Sequence, residues 1–128
     1  MLRLCQRLVQ IPSVNGVHPE QAVADAIVEA LEERGTPVHT WSFAPERPCL
    51  LGSIGSGEEG VLFVGHMDTV AIGEPAHWTV DPFGGEVRGG RLYGRGACDN
   101  KAGIAVAITL LGYLRDYEEV LRGPVLLA

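Results

Sequence analysis

A short apolar run that ends in two polar side chains constrains the fold of this chain more than any other feature. Residues 61–64 read Val-Leu-Phe-Val, and Gly65, His66, Met67 and Asp68 follow them. Such a run is typical of a β-strand that is covered on both faces. Ligand-binding groups in open α/β sheets usually lie at the carboxyl ends of the strands. The segment therefore predicts a buried strand with a site at its carboxyl end.

Length and composition indicate one folded domain with a small-molecule partner. The chain has 128 residues, of which 46% are hydrophobic and 20% charged, enough to build one core. The formal net charge is -6, and no cluster of lysine or arginine occurs. This charge distribution argues against nucleic acid and against an anionic membrane as partners.

Neither a membrane anchor nor a disulfide framework is expected. Apolar runs stop short of membrane-spanning length, and Arg3 and Arg7 interrupt the first of them, so a transmembrane helix and a signal peptide are both excluded. A cytoplasmic location is therefore expected. Cys5, Cys49 and Cys98 are odd in number and form no C-x-x-C pair, which predicts reduced thiols.

The order of predicted elements is that of an α/β domain. In chain order, the patterns predict a short helix that ends at Pro12, a helix from Pro19 to Gly35, consecutive strands over residues 36–66, a helix from about Lys101 to Tyr117, and a buried strand in "GPVLLA". The last strand has no charge or turn behind it, unlike a natural terminal edge strand. The sequence is therefore expected to be cut there.

Three side chains carry the candidate chemistry. His66 and Asp68 are two apart at a strand end and point to the same side, so a metal-binding imidazole and the carboxylate that orients it could share one pocket. Asp99 follows a glycine-rich turn and precedes a helix, whose amino terminus favours negative charge. A carboxylate held there can bridge two cations such as zinc.

The residues alone leave a second interpretation open. His66 could be satisfied by a backbone carbonyl, and Asp99 could serve as a helix N-cap. A phosphate-binding loop is excluded, because Lys101 precedes Gly103 and no serine or threonine follows in the required order. Residue types and spacing therefore indicate a metal hydrolase or a structural turn, and do not choose between them.

Three ordered motifs add a family resemblance. "GHMDTV", "HWTVDPFGGEVRGGRLYGRGACDNKAG" and the opening "LVQIPSVNG" resemble the amino-terminal part of the M20 metallopeptidase family over essentially the whole chain. The ordered set H-x-D-T-V, W-x-x-D-P-F and G-R-G-x-x-D-x-K is far more specific than any one piece. The resemblance implies a zinc-peptidase-like mixed sheet flanked by helices, with residues 1–128 forming the amino-terminal portion of a single catalytic domain.

The resemblance also implies roles for the candidate residues. His66 would be a terminal ligand of one metal and Asp99 would bridge both, while Asp68 would be the catalytic carboxylate that steadies the His66 imidazole. The cofactors would be two divalent metal ions, zinc in the first place, with cobalt or manganese as alternatives. The peptide bond between Asp99 and Asn100 would be cis. The whole protein would hydrolyse an amide bond in an N-acyl amino acid or a peptide, its small-molecule substrate.

Half of such a metal site is expected to be missing. In the family a glutamate pair follows the strand that "GPVLLA" begins, and a further carboxylate, a histidine and a lid domain lie later still. Glu118 and Glu119 precede that strand, so they are interpreted as a solvated helix end. The isolated chain is therefore expected to be an inactive fragment. The alternative is a non-catalytic metal-binding or interaction module on the same fold, and a homo-oligomer of the whole protein stays open.

Residues around the candidate site are expected to be structural. Trp78 is predicted to pack a turn, Arg95 to brace a loop, and Lys101 to support the first helical turn. Cys98 is predicted to be a small packed thiol. None of the four is expected to bind metal or substrate.

Overall fold

The computed structural model describes residues Met1 to Ala128 as three α-helices beside a four-stranded mixed sheet, with a separate two-stranded hairpin. The helices are α1 (Leu2–Val9), α2 (Gln21–Glu32) and α3 (Ala102–Leu114). The strands are β1 (Val38–Ala44), β2 (Arg47–Ile54), β3 (Val61–Phe63), β4 (Glu86–Arg88), β5 (Arg91–Tyr93) and β6 (Val125–Leu127). Short 3-10 segments lie at Pro75–His77 and Arg115–Val120. No helix has both the length and the apolar character needed to cross a membrane.

The four-stranded sheet has the order β1-β2-β6-β3. The pairs β1–β2 and β2–β6 are antiparallel, whereas β3 and β6 are parallel and are connected through α3. Since parallel strands end at the same edge, the residues after β3 lie beside the end of β6. The Gly65 N–H donates to the Ala128 carbonyl over 2.8 Å. This edge is where His66 leaves the sheet.

All three helices and two central strands share one hydrophobic core. Leu8 of α1, Ile27 of α2 and Ile108 of α3 are all almost fully buried in it. Strand β2 buries every second residue, including Leu50 and Ile54, as the two-residue period of a strand requires. The predicted mixed sheet flanked by helices is therefore confirmed.

Helix ends follow the sequence signals closely. Gly35 has φ +69°, and the N–H groups of Gly35 and Thr36 donate to the carbonyls of Glu32 and Leu31. This is the left-handed helix stop that glycine permits. Helix α1 ends at Val9, three residues before Pro12, where the sequence predicts its end.

Strand β3 differs from its prediction. The apolar run predicts a strand covered on both faces, but β3 is the edge strand, and its Val61 and Leu62 side chains are each 54% exposed. Val64, which follows it, is 73% exposed. The reason is that β3 lies at the edge of the sheet, where β6 is the only element in extensive contact with it and no helix packs extensively against its side chains.

The sequence prediction missed the β4–β5 hairpin. Gly89 and Gly90 connect the two strands with φ angles of 58° and 75°. Two consecutive residues with positive φ form the hairpin turn that matches strand twist, and Gly-Gly between two short runs is its sequence signal. That signal was present in the sequence.

The three cysteines are free, as predicted, but the predicted environment of one of them differs from the structure. Cys5 is buried and Cys49 is half-buried, whereas Cys98 is exposed. The prediction that Cys98 is a packed thiol is wrong, because the turn at Ala97–Lys101 directs residues 98 and 99 outward from the core.

Candidate metal centre

Two close approaches of the backbone bring the candidate ligands together. His66 follows β3, and Asp99 lies in the kinked turn Ala97–Lys101 that precedes α3. A Cβ atom on Gly65 would lie 2.9 Å from Cγ1 of Ile104 in α3. Gly96 has φ +81°, and a Cβ atom there would lie 2.7 Å from Cγ2 of Thr69. Glycine at both positions therefore lets the β3 end and the Asp99 turn meet.

His66, Asp68 and Asp99 form one connected group. His66 Nε2 lies 2.9 Å from Asp99 Oδ1, and His66 Nδ1 lies 3.1 Å from Asp68 Oδ1. The His66 ring therefore lies between two carboxylates. Its Nδ1 is also 3.0 Å from the Asp68 backbone carbonyl oxygen, the kind of contact that the structural interpretation of His66 requires. The Asp99–Asn100 peptide bond is cis, as the resemblance implies.

The electrostatic environment of His66 is set mainly by the two neighbouring carboxylates. The hydrogen bond to Asp99 raises the pKa of His66 above its usual value, and the contact with Asp68 adds to this, while partial burial opposes it. The His66 side chain is 46% exposed and that of Asp99 is 86% exposed. Both are open to an ion from solvent, and such an ion would compete with protons for the imidazole nitrogen.

The donor set fits part of a metal site. Imidazole nitrogen and carboxylate oxygen are both ordinary zinc ligands, and two such ligands on one tetrahedral zinc lie about 3.3 Å apart. The His66–Asp99 separation of 2.9 Å is close to that value. No group of three or more His, Cys, Asp or Glu side chains in the structure is arranged to hold a metal ion. The chain thus brings together two candidate ligands, His66 and Asp99, and the carboxylate of Asp68, which contacts the imidazole of His66.

Glu118 cannot complete this group. Its Oε1 accepts a hydrogen bond from the Gly55 N–H over 2.9 Å, and it pairs with Arg115. Gly55 follows the end of β2, and this end lies beside the beginning of β6. His66 lies near the other end of β6, so Glu118 and His66 are at opposite ends of the strands. The prediction that Glu118 is simply solvated is wrong, since it binds the end of β2, whereas Glu119 is exposed.

The neighbouring residues that were predicted to be structural differ in the contacts they make. Trp78 Nε1 donates to the Ile72 carbonyl over 2.8 Å, and the Arg95 guanidinium lies 5.2 Å from the centre of the Trp78 ring. Lys101 reaches farther than its own helical turn, because its Nζ donates to the carbonyls of Leu8 and Ile11. Lys101 therefore ties the Asp99 turn to the end of α1.

One contact to the site was not predicted from the sequence. Asn15 Nδ2 donates to Asp68 Oδ2 over 3.1 Å. Asn15 lies in the "PSVNG" loop after α1, 53 residues before Asp68. Its residue type and its spacing carry no signal for this contact, since the long-range fold creates it.

Solved structures share this fold. The chain superposes on an M20 family metallo-carboxypeptidase, Sso-CP2 from Sulfolobus solfataricus, with a TM-score of 0.84 and 22% identity, over 98% of this chain and 29% of that one. The di-peptidase Dug1p from Saccharomyces cerevisiae gives a TM-score of 0.78 at 19% identity, over 98% and 30% of the two chains. At such identities these structures show the fold alone.

Sequence comparison identifies the family. The chain is 41% identical over 116 residues to the succinyl-diaminopimelate desuccinylase of Rhodospirillum centenum, and 43% identical over 109 residues to that of Methylobacterium radiotolerans. These matches cover 87% and 81% of this chain but only 29% and 27% of the relatives. Residues 62–128 match the sequence model of peptidase family M20/M25/M40. The chain therefore belongs to peptidase family M20/M25/M40.

Proposed function

We propose that this chain supplies half of the metal centre of an amidohydrolase that cleaves N-acyl amino acids or short peptides. The observation that carries the proposal is the 2.9 Å separation of His66 Nε2 and Asp99 Oδ1, with Asp68 on the far side of the ring. Membership of a family of hydrolases supports it. The whole protein's activity goes beyond these residues, because the chain spans less than a third of the two relatives described above.

Each of the three side chains has a separate task in this proposal. His66 binds metal through Nε2 while Asp68 holds the proton on Nδ1, which fixes the ring orientation. Asp99 contacts His66 through Oδ1 only, so its second carboxylate oxygen is free for another ligand. Two divalent ions, zinc in the first place and cobalt or manganese as alternatives, would acidify a bound water and polarise the amide carbonyl.

The substrate class follows the relatives' names. Succinyl-diaminopimelate desuccinylases act on a succinyl amide, so an N-succinyl amino acid is the first substrate to test. Most of a substrate pocket would come from the other two thirds of such a protein. A homo-oligomer and a cytoplasmic location remain predictions from the sequence.

A chimeric enzyme tests the proposal. These 128 residues would replace the matching part of the R. centenum desuccinylase, and amide hydrolysis would be measured with added zinc or cobalt. We expect metal-dependent turnover by the chimera, loss of at least about a hundredfold in His66→Ala because a metal ligand is lost, and little change in the control His77→Ala. Two metal ligands are too few for a catalytic site, so the 128-residue chain alone should show no turnover.

Two outcomes would contradict the proposal. Full activity of the His66→Ala chimera would remove His66 from the metal centre. A folded, zinc-binding chimera without hydrolysis would instead favour the alternative, a non-catalytic metal-binding module on the same fold.

A further inference from the structure

Asp68 is held at both of its carboxylate oxygens. Oδ1 lies 3.1 Å from His66 Nδ1, and Oδ2 accepts a hydrogen bond from Asn15 Nδ2 over 3.1 Å. A carboxylate with one partner can rotate about its side-chain torsions, whereas two partners on opposite sides select one staggered rotamer. Asn15 therefore opposes rotation of Asp68 away from His66.

Arg47 determines which way the Asn15 amide faces. Arg47 Nη2 donates to Asn15 Oδ1 over 2.7 Å, so the amide oxygen points to Arg47 and the amide nitrogen to Asp68. Arg47 Nη1 also pairs with Glu20, a residue only 8% exposed. An arginine can serve both partners at once because its guanidinium is a rigid fork with several donors.

The backbone around Asn15 is bound to the backbone around Asp68. The Asn15 N–H donates to the Thr69 carbonyl over 2.9 Å, and the Thr69 N–H donates to the Ser13 carbonyl over 2.8 Å. Ser13 Oγ donates to the Met67 carbonyl over 2.7 Å. The loop after α1 and the segment that carries Asp68 therefore move as one unit, which keeps the Asn15–Asp68 contact in register.

We propose that Asn15 and Arg47 are positioning residues, which hold the Asp68 carboxylate against His66 and so fix the direction in which His66 Nε2 faces. Neither side chain forms a hydrogen bond or ion pair with Asp99 or the His66 ring, so both act through Asp68. This role depends on the proposed function at one point only, namely that the fixed orientation serves metal binding by His66. The orientation itself is a property of the metal-free chain.

Side-chain torsions of the metal-free 128-residue chain provide the test. NMR three-bond couplings would report whether Asp68 and His66 each keep one χ1 rotamer at a fixed pH. The decisive variant is Asn15→Asp, which keeps an acceptor for Arg47 but replaces the donor to Asp68 with a like charge. We expect Asp68 and His66 to populate several rotamers in Asn15→Asp and Asn15→Ala, and to do so to a smaller extent in Arg47→Met.

Matched controls separate positioning from general loosening. Gln10→Ala removes an amide that donates to the Gly84 carbonyl, and Arg7→Met removes the exposed ion pair with Glu29. Neither control should change the couplings of Asp68 or His66. If Asn15→Asp leaves both couplings as in the unsubstituted chain, Asn15 serves only to bind Arg47 and the positioning role is wrong.

Zinc titration separates this inference from the proposed function. Chemical shifts of the His66 ring would be followed as Zn²⁺ is added to each variant. We expect the apparent dissociation constant to rise about threefold to tenfold in Asn15→Ala, less than the 10–100-fold typical for loss of a ligand's direct partner. If Zn²⁺ leaves the His66 ring unchanged in the chimera described above, which carries the remaining ligands, the proposed metal role fails, and the metal-free couplings of the 128-residue chain still decide the positioning role.

Discussion

The only lysine of this chain is a buried cross-link between two elements. Lys101 is 1% exposed, and its Nζ donates to the carbonyls of Leu8 and Ile11 over 2.9 and 2.7 Å. Burial lowers its pKa to about 8. Since Lys101 directly follows the Asp99–Asn100 pair, these two hydrogen bonds fasten the Asp99 turn to the end of α1.

Replacement of this lysine tests the cross-link. Lys101→Met keeps the approximate length of the side chain but removes the donor to the Ile11 carbonyl and one of the two donors to the Leu8 carbonyl, so we expect the free energy of unfolding to fall by about 1–3 kcal/mol. Urea denaturation followed by circular dichroism measures the change. The exposed Arg91→Met in β5 is the control and should stay within about 0.5 kcal/mol. Equal stability of the two variants would show that Lys101 does not join the elements.

At the scale of elements, the entry into β6 requires an exceptionally close approach of two chain segments. A Cβ atom on Gly123 would lie 1.6 Å from the Glu59 carbonyl oxygen, just before β3 and β6 begin to pair. Gly103, in contrast, lies inside α3 with nothing within 4 Å of its added Cβ. The same substitution should therefore have opposite effects at the two positions.

A pair of glycine-to-alanine variants measures this difference. Gly123→Ala should lower the free energy of unfolding by about 3 kcal/mol or more, because backbone must move to admit the methyl group. Gly103→Ala should raise it by about 0.5–1 kcal/mol, because alanine loses less backbone entropy in a helix. Chemical denaturation of both variants gives the two values. A Gly123→Ala chain as stable as the unsubstituted one would contradict the parallel β3–β6 pairing.

At the scale of the whole molecule, exposed apolar side chains gather at one edge of the sheet. Val61, Leu62 and Val64 lie on or beside β3, which has no strand on its outer side. No lysine or proline lies within β3 to block that edge. Edges of this kind pair with other chains unless charge, proline or a covering element prevents it.

Self-association of the isolated chain should therefore depend on this edge. We expect sedimentation velocity to show a mass that rises with concentration, and Val64→Lys to reduce that rise by placing a charge beside the edge. Val120→Lys is the matched control, because Val120 is 75% exposed but lies in the 3-10 segment before β6. If the two variants reduce association equally, the edge is not the contact surface.

Local patterns were sufficient for much of the fold and for half of the candidate site. Periodicity predicted the helices, Gly35 predicted the end of α2, and a strand end with residues two apart predicted that His66 and Asp68 would meet. These features depend on neighbours within a few residues, where backbone geometry leaves few choices.

Local patterns did not predict the long-range contacts of the site, of which the family resemblance implied only the approach of Asp99 to His66; the tertiary structure decided the others. Asp99 meets His66 across 33 residues, Asn15 meets Asp68 across 53, and Lys101 meets Leu8 across 93. Each contact needs chain segments to approach through pairing of β3 with β6 and packing of α1 against α3. The exposure of β3 was decided in the same way, since burial depends on what packs against a strand and not on the strand's own residues.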